Sequence, residues 1–116
     1  MLAAARALNG KSKGLACNLG TGSFCCYYDG NKIARKSPGI GYVLGDEGSG
    51  FDLARRAVGP ITQAADGRAE PTDLFDAVLR FGTLSSPTDL VRHVYGRPLN
   101  PAEIARLAPL VVDVAG

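Results

Sequence analysis

The spacing of hydrophobic and polar positions changes near residue 50. Before that point, short apolar runs alternate with glycine-rich turns, and ten of the fifteen glycines fall in the first fifty residues. After it, apolar residues such as Phe51, Ala54, Ala57, Val58 and Ile61 recur at helical intervals. The pattern predicts an α/β chain in which a strand-and-turn region precedes a helical region at 49–114.

The first region is predicted to be a three-stranded antiparallel meander at 15–36. Its strands are expected at 15–19, 23–28 and 32–36. Asp29-Gly30-Asn31 separates the last two and is a strong hairpin signal, because glycine tolerates positive φ in the turn. Because side chains alternate across a strand, at most one of Tyr27 and Tyr28 is expected to pack in the core.

About four helices are predicted after the meander. Start signals place three of them at 49–65, from 86 onward, and from 100 to about 114. Another helix is expected at 72–80. Gly59-Pro60 is expected to kink or interrupt the first of them. A further helix is expected to end within residues 2–8. His93 and Tyr95 in the third helix are interpreted as packing or surface residues.

Charge and composition exclude some classes of function. The net charge is +2, but residues 1–36 carry six Lys or Arg against the single acid Asp29. Such a basic segment favours a polyanion such as a nucleotide, and a solvated surface explains it equally. No dense basic run carries interleaved aromatic residues, so we expect no nucleic acid partner. No apolar run approaches the ~20 residues of a membrane span, so we expect a cytoplasmic protein without membrane contact.

The three cysteines, Cys17, Cys25 and Cys26, show no spacing typical of a zinc site, and the chain contains one histidine. We therefore expect no metal ligands, and we interpret the cysteines as small buried apolar residues.

Two glycine-rich segments are candidates for binding. Gly20, Thr21, Gly22 and Ser23 follow the first strand, where backbone N–H groups and hydroxyls suit a phosphate or form an ordinary tight turn. The acidic loop, residues 45–50 with the sequence GDEGSG, carries carboxylates that suit the hydroxyls of a polyol or simply stabilise the N-terminus of the next helix. Neither segment is a Walker A loop or a dinucleotide fingerprint.

The combination of these segments resembles a known family. "LGTGS", "YYDGNKIARKSPGIGYVLGDEGSG" and "LARRAV" make the run from residue 15 to about 110 similar to the BadF/BadG/BcrA/BcrD ATPases, within the N-acetylglucosamine kinase branch. The resemblance implies part of one RNase H-like half of the actin-like fold. It implies that the phosphates of ATP, with Mg²⁺ in the intact enzyme, bind at Gly20, Thr21, Gly22 and Ser23. It further implies that Asp46, Glu47 and Ser49 contact an amino sugar such as N-acetylglucosamine.

The chain departs from the family pattern in two ways. Phe24 stands where N-acetylglucosamine kinases often have an Asn that touches the sugar. The resemblance also implies that the catalytic Asp lies at or before Met1, and that the first half and the adenosine motif lie outside the chain. We therefore expect an internal piece of a kinase that is inactive alone.

Two other functions are alternatives to this interpretation. One is an activator ATPase of a 2-hydroxyacyl-CoA dehydratase, from the same wider family, although Cys25-Cys26 is poorly placed to share its iron–sulfur cluster. The other is a non-catalytic truncated remnant. In the RNase H-like sheet that the resemblance implies, a later strand outside this chain would pair with the strand at 15–19. We therefore expect an unpaired edge there and self-association of the chain through it.

Overall fold

The computed structural model describes residues 1–80, 86, 89, 92, 98 and 100–115. The chain divides into two compact units, Met1–Ser49 and Gly50–Gly116. The boundary coincides with the change of pattern near residue 50.

The first unit contains the predicted meander. Helix α1 (Leu2–Asn9) precedes strands β1 (Gly14–Leu19), β2 (Ser23–Tyr28) and β3 (Ile33–Lys36), and a short helix α2 (Gly41–Leu44) follows. The sheet order is β1-β2-β3, with both neighbouring pairs antiparallel. The predicted meander and the helix at its amino-terminal side are confirmed.

The core of the first unit is formed by small residues and one tyrosine. Ala5 of α1 packs with Ala16, Cys26 and Tyr28 of the sheet, and Ile33 packs against them. Tyr28 is 2% exposed and its neighbour Tyr27 is 37% exposed. This difference confirms that alternation allows only one of the two tyrosines into the core.

The β2–β3 turn is fixed by hydrogen bonds to Asp29. Its Oδ1 accepts from the backbone N–H groups of Asn31 at 2.9 Å and Lys32 at 2.8 Å. These donors favour the charged carboxylate and hold the pKa of Asp29 below its usual value. Gly30 has φ +99°, and a Cβ there would lie 2.6 Å from the carbonyl oxygen of Lys11, so this turn requires glycine.

The second unit is helical in its described part. Its helices are α3 (Gly50–Ala65), α4 (Asp73–Arg80), α5 (Pro101–Ala105) and α6 (Ala108–Ala115). Thr72 begins α4 by accepting from the N–H of Phe75, and Asn100 begins α5 by accepting from the N–H of Ala102. Buried apolar residues on these helices include Ala54, Ala57, Ile61, Val78 and Ile104.

Of the two outcomes predicted at Gly59-Pro60, the interruption is wrong, because Pro60 lies inside the continuous helix α3. A kink at this point stays a prediction. The last predicted helix is two helices, because Pro109 lacks an N–H group and its ring would clash with the carbonyl of residue 105. The predicted helix from Ser86 falls mostly outside the described residues, and so do His93 and Tyr95.

Candidate functional site

The turn between β1 and β2 presents backbone donors. Leu19 pairs with Ser23, so three residues close the turn, and the N–H of Gly20 donates to the carbonyl of Gly22 at 2.9 Å. The Gly20 amide is therefore used within the turn. In the described part of the chain, the N–H groups of Thr21 and Gly22 donate to no other residue. The N–H groups of Thr21 and Gly22 can therefore donate hydrogen bonds to a ligand.

The acidic loop meets this turn through Asp46. The N–H of Ser23 donates to Asp46 Oδ1 at 3.2 Å. A Cβ on Gly22 would lie 2.8 Å from Asp46 Oδ2, closer than real Cβ contacts allow. The carboxylate and the glycine turn are thus in direct contact, and Gly22 leaves the room that the carboxylate occupies.

The backbone of Asp46 adopts an uncommon conformation. Its φ is +59°, the left-handed region that L residues with a side chain rarely enter. The carbonyl of Asp46 accepts from the N–H of Ser49 at 3.0 Å, which closes the loop around this conformation. Backbone outliers that persist in this way are concentrated at functional sites. The loop geometry aims the carboxylate at the β1–β2 turn.

A cavity of about 550 Å³ lies beside the two segments, within the first unit. Its lining includes Ser23, Phe24, Asp46 and Glu47 together with Cys17 and Cys25. This volume lies within the ~300–1,000 Å³ typical of small-molecule sites. The lining combines carboxylates and a hydroxyl with an aromatic ring, which is the composition expected for a polar ligand with an apolar face.

The structure brings together part of the predicted site. Ser23, Asp46 and Glu47 line the cavity, and Gly22 contacts Asp46, while Gly20 and Thr21 form the turn beside them. Ser49 is fully buried and lies outside the lining. Its predicted contact with a sugar stays a prediction, as do the ligand roles of the other residues.

The interpretation of the cysteines as buried residues is confirmed for Cys26 only. Cys26 is 2% exposed, whereas Cys17 is exposed and Cys25 is partly exposed. Alternation along β2 places Cys25 and Cys26 on opposite faces, and the register places Cys17 opposite Cys25. The Cys17 thiol donates to Cys25 Sγ at 2.6 Å, and this hydrogen bond raises the pKa of Cys17. The same alternation argument applied to the tyrosines could have found this pair from the sequence.

The described residues contain neither a metal-binding cluster nor a membrane-spanning helix. Among these residues, no group of three or more His, Cys, Asp or Glu side chains is arranged to hold a metal ion. No helix among them combines the length and apolar character needed to cross a membrane.

Comparisons with known proteins bear on the origin of this site. No family model matches the chain. The chain is 38% identical over 103 residues to an N-acetylmuramic acid/N-acetylglucosamine kinase of Clostridium acetobutylicum, covering 87% of this chain and 33% of that protein. This similarity and the similarity to two solved structures support a relationship between the chain and a sugar kinase family. The chain spans about a third of the length of this curated sugar kinase.

The fold of the chain is also similar to that of solved structures. Two crystal structures of proteins provisionally named N-acetylglucosamine kinases, from Chromobacterium violaceum and Porphyromonas gingivalis, match with TM-scores of 0.75 and 0.74. Their sequence identities are 38% and 37%, and the matches cover 91% and 98% of this chain but 36% and 43% of those chains. The meander and the helices that follow it are therefore part of the actin-like fold of these sugar kinases.

Proposed function

We propose that the chain is a segment of an ATP-dependent N-acetylglucosamine kinase of the BadF/BadG/BcrA/BcrD type. The whole enzyme would transfer the γ-phosphate of ATP to a hydroxyl of the amino sugar. The contact between the Ser23 N–H and Asp46 Oδ1 carries the proposal, because it joins a turn with amide donors to a carboxylate at one cavity. The names of the sugar kinase relatives support the choice of substrate class.

The β1–β2 turn is assigned to a phosphate of ATP. The N–H groups of Thr21 and Gly22 and the hydroxyl of Thr21 supply donors, and neighbouring amides in a turn are a common anion cradle. Mg²⁺ in the intact enzyme would neutralise phosphate charge during transfer. We assign none of the described residues to the metal.

The acidic loop is assigned to the sugar. Asp46 accepts a hydrogen bond from a sugar hydroxyl while the Ser23 N–H holds the carboxylate in place. Glu47 offers a second carboxylate on the same lining, and Phe24 offers apolar surface to the sugar ring or its acetamido methyl group. The N–H of the buried Ser49 donates to the Asp46 carbonyl, and the predicted contact of Ser49 with the sugar stays part of the proposal.

The negative charge of Asp46 favours a sugar hydroxyl over a phosphate as the partner of its carboxylate. Two negative charges 4 Å apart repel by about 1 kcal/mol in water and about 4 kcal/mol near a protein surface. A phosphate directly on the Asp46 carboxylate would meet this repulsion, whereas a sugar hydroxyl donates to it favourably. The carboxylate therefore suits the sugar, and the Thr21 and Gly22 amides suit the phosphate.

Ligand-observed saturation-transfer NMR tests the assignment of the sugar. We expect N-acetylglucosamine to receive saturation from this chain, and Asp46→Asn to weaken binding about tenfold, since a charge-assisted hydrogen bond becomes a neutral one. Asn tolerates the left-handed backbone and keeps an acceptor for Ser23. Glu70→Gln is the matched control, because Glu70 is exposed and does not line the cavity. Equal binding by wild type and Asp46→Asn would contradict the assignment.

We also propose that the chain alone does not catalyse transfer. It spans about a third of the curated relative, and one phosphate cradle with part of a sugar wall does not hold base, hydroxyl and γ-phosphate in line. A coupled assay of ADP release with N-acetylglucosamine should show no turnover above background, and turnover would refute the proposal. The dehydratase activator stays the alternative for the intact protein, and a non-catalytic remnant stays the alternative for this chain.

A further inference from the structure

The exposed face of the β1–β2 pair carries two thiols directly opposite each other. Cys17 of β1 pairs in register with Cys25 of β2, and their Sγ atoms lie 2.6 Å apart. Both side chains reach the cavity lining, whereas Cys26 is buried in the core on the opposite face. The two sulfur atoms are therefore close to each other and accessible in this chain.

The hydrogen bonding of Cys25 identifies the kind of strand pair. Its N–H donates to Ser37 Oγ at 3.0 Å, and its carbonyl accepts from the Ser37 N–H at 2.8 Å. Both backbone groups thus point away from β1, so Cys17 and Cys25 occupy a non-hydrogen-bonded position of the antiparallel ladder. Opposed Cα atoms at such positions are about 4.5 Å apart. That spacing lies within the roughly 4.4–6.8 Å that a disulfide spans, so a bond can form without strand displacement.

We propose that Cys17 and Cys25 are a thiol modification site that closes reversibly into a cross-strand disulfide. A thiolate of the pair attacks one sulfur of a small-molecule disulfide such as glutathione disulfide, and one glutathione thiolate leaves. The second cysteine thiolate then attacks the protein sulfur of the mixed disulfide and expels the other glutathione. The protein dithiol loses two protons and two electrons, and glutathione disulfide is reduced to two thiols.

This disulfide would tie β1 to β2 at the wall of the cavity. Cys25 lies two residues after Ser23, whose N–H holds Asp46, so the crosslink would fix the strand that carries this contact. Formation of the Cys17–Cys25 disulfide depends only on the register of β1 and β2. The test of this proposal is therefore independent of the proposed kinase function.

Intact mass measurement after incubation with glutathione disulfide tests the proposal. We expect the wild-type chain to lose the mass of two hydrogen atoms and two titratable thiols, and to recover both with dithiothreitol. Cys26→Ala is the matched control and should behave in the same way. Cys17→Ser and Cys25→Ser should not form the intramolecular bond. Final products that are mixed disulfides or disulfide-linked dimers in the wild type would overturn the proposal.

Peptide mapping of the oxidised wild type identifies the bond without any variant. Trypsin leaves all three cysteines in one peptide, because the nearest basic residues are Lys13 and Lys32. Chymotrypsin cleaves after Phe24 and separates Cys17 from the other two, and fragmentation of the linked peptides then distinguishes Cys25 from Cys26. A Cys17–Cys25 link supports the proposal. A Cys25–Cys26 or Cys17–Cys26 link overturns it.

Discussion

Asp46 combines three features that explain each other. Its φ is +59°, its carbonyl accepts from Ser49, and its carboxylate accepts from Ser23. A non-glycine residue in the left-handed region costs roughly 1–2 kcal/mol, so the surrounding hydrogen bonds must offset this cost. The result is a carboxylate fixed against a glycine turn. A side chain at Gly22 would force this carboxylate to move, because its Cβ would lie 2.8 Å from Asp46 Oδ2.

Replacing Gly22 by Ala should displace the Asp46 carboxylate. The new Cβ would lie 2.8 Å from Oδ2, which breaks the bond to Ser23 and lowers the free energy of unfolding by about 1 kcal/mol. Urea denaturation measures this change, and saturation-transfer NMR should show loss of sugar binding. Gly39→Ala is the control, because a Cβ at Gly39 meets nothing within 4 Å. Unchanged sugar binding in Gly22→Ala would contradict the assigned role of the carboxylate.

Asp29 should make the stability of the chain depend on pH in acid. Because its folded pKa is lowered, its contribution is fully present above the ordinary Asp pKa of about 3.9 and is lost as pH falls through the folded value. The stability difference between wild type and Asp29→Ala should therefore be constant near neutrality and shrink in acid. Asp29→Asn keeps an acceptor without titrating, so its difference from Asp29→Ala should not change with pH. A wild-type difference that grows in acid would contradict this account.

At the scale of elements, the sequence predicts the strands, turns and helix starts, because these depend on residues that are close in sequence. Alternation and the Asp29-Gly30-Asn31 turn predicted the meander, and capping residues predicted the starts of α3 and α5. The contact between Asp46 and the β1–β2 turn joins residues 23 apart in sequence, so no local pattern could reveal it. The prediction of one helix from 100 to about 114 did not take account of Pro109, which is tolerated only in the first turn of a helix and so separates α5 from α6.

Gly59 allows a test of the regular helical structure of α3. Gly59 lies inside the helix, and a Cβ there meets nothing within 4 Å apart from its chain neighbours and the helix's own backbone. Gly59→Ala should raise the free energy of unfolding by at most about 1 kcal/mol, because the new Cβ also approaches the ring of Pro60, which opposes the gain in helix propensity. Gly67, with φ +79°, is the matched control of opposite sign, and Gly67→Ala should lower it by about 1 kcal/mol or more. Circular dichroism during urea denaturation measures both changes. Destabilisation by Gly59→Ala would contradict this prediction and would mean that the clash with the Pro60 ring outweighs the gain in helix propensity.

At the scale of the whole molecule, β1 lies at one edge of the described sheet. Leu15 and Leu19 on this strand are 66% and 70% exposed. Like Cys17, both leucines occupy non-hydrogen-bonded positions opposite β2. Their backbone N–H and C=O groups therefore point away from β2. An edge of this kind pairs readily with another chain. The chain spans only a third of its curated relative, and self-association of the isolated chain remains our prediction.

Sedimentation equilibrium tests this self-association. The average mass of the wild-type chain should rise with concentration, and Leu15→Lys should reduce the rise, since a charge on an edge strand opposes pairing. Val43→Lys is the matched control, because Val43 is 72% exposed but lies on α2 rather than on the strand edge. A concentration-independent monomer with a sharp, cooperative thermal transition would contradict the prediction.

We propose that the glycine turn and the acidic loop form one site that binds a nucleotide phosphate and a sugar side by side. Mapping of ¹⁵N–¹H amide shifts during separate titrations with ADP and N-acetylglucosamine tests it most directly. We predict that ADP shifts the amides of Thr21 and Gly22, that the sugar shifts those of Asp46 and Glu47, and that both ligands shift Ser23. Shifts confined to other parts of the chain, or two sets that do not meet at Ser23, would contradict the claim.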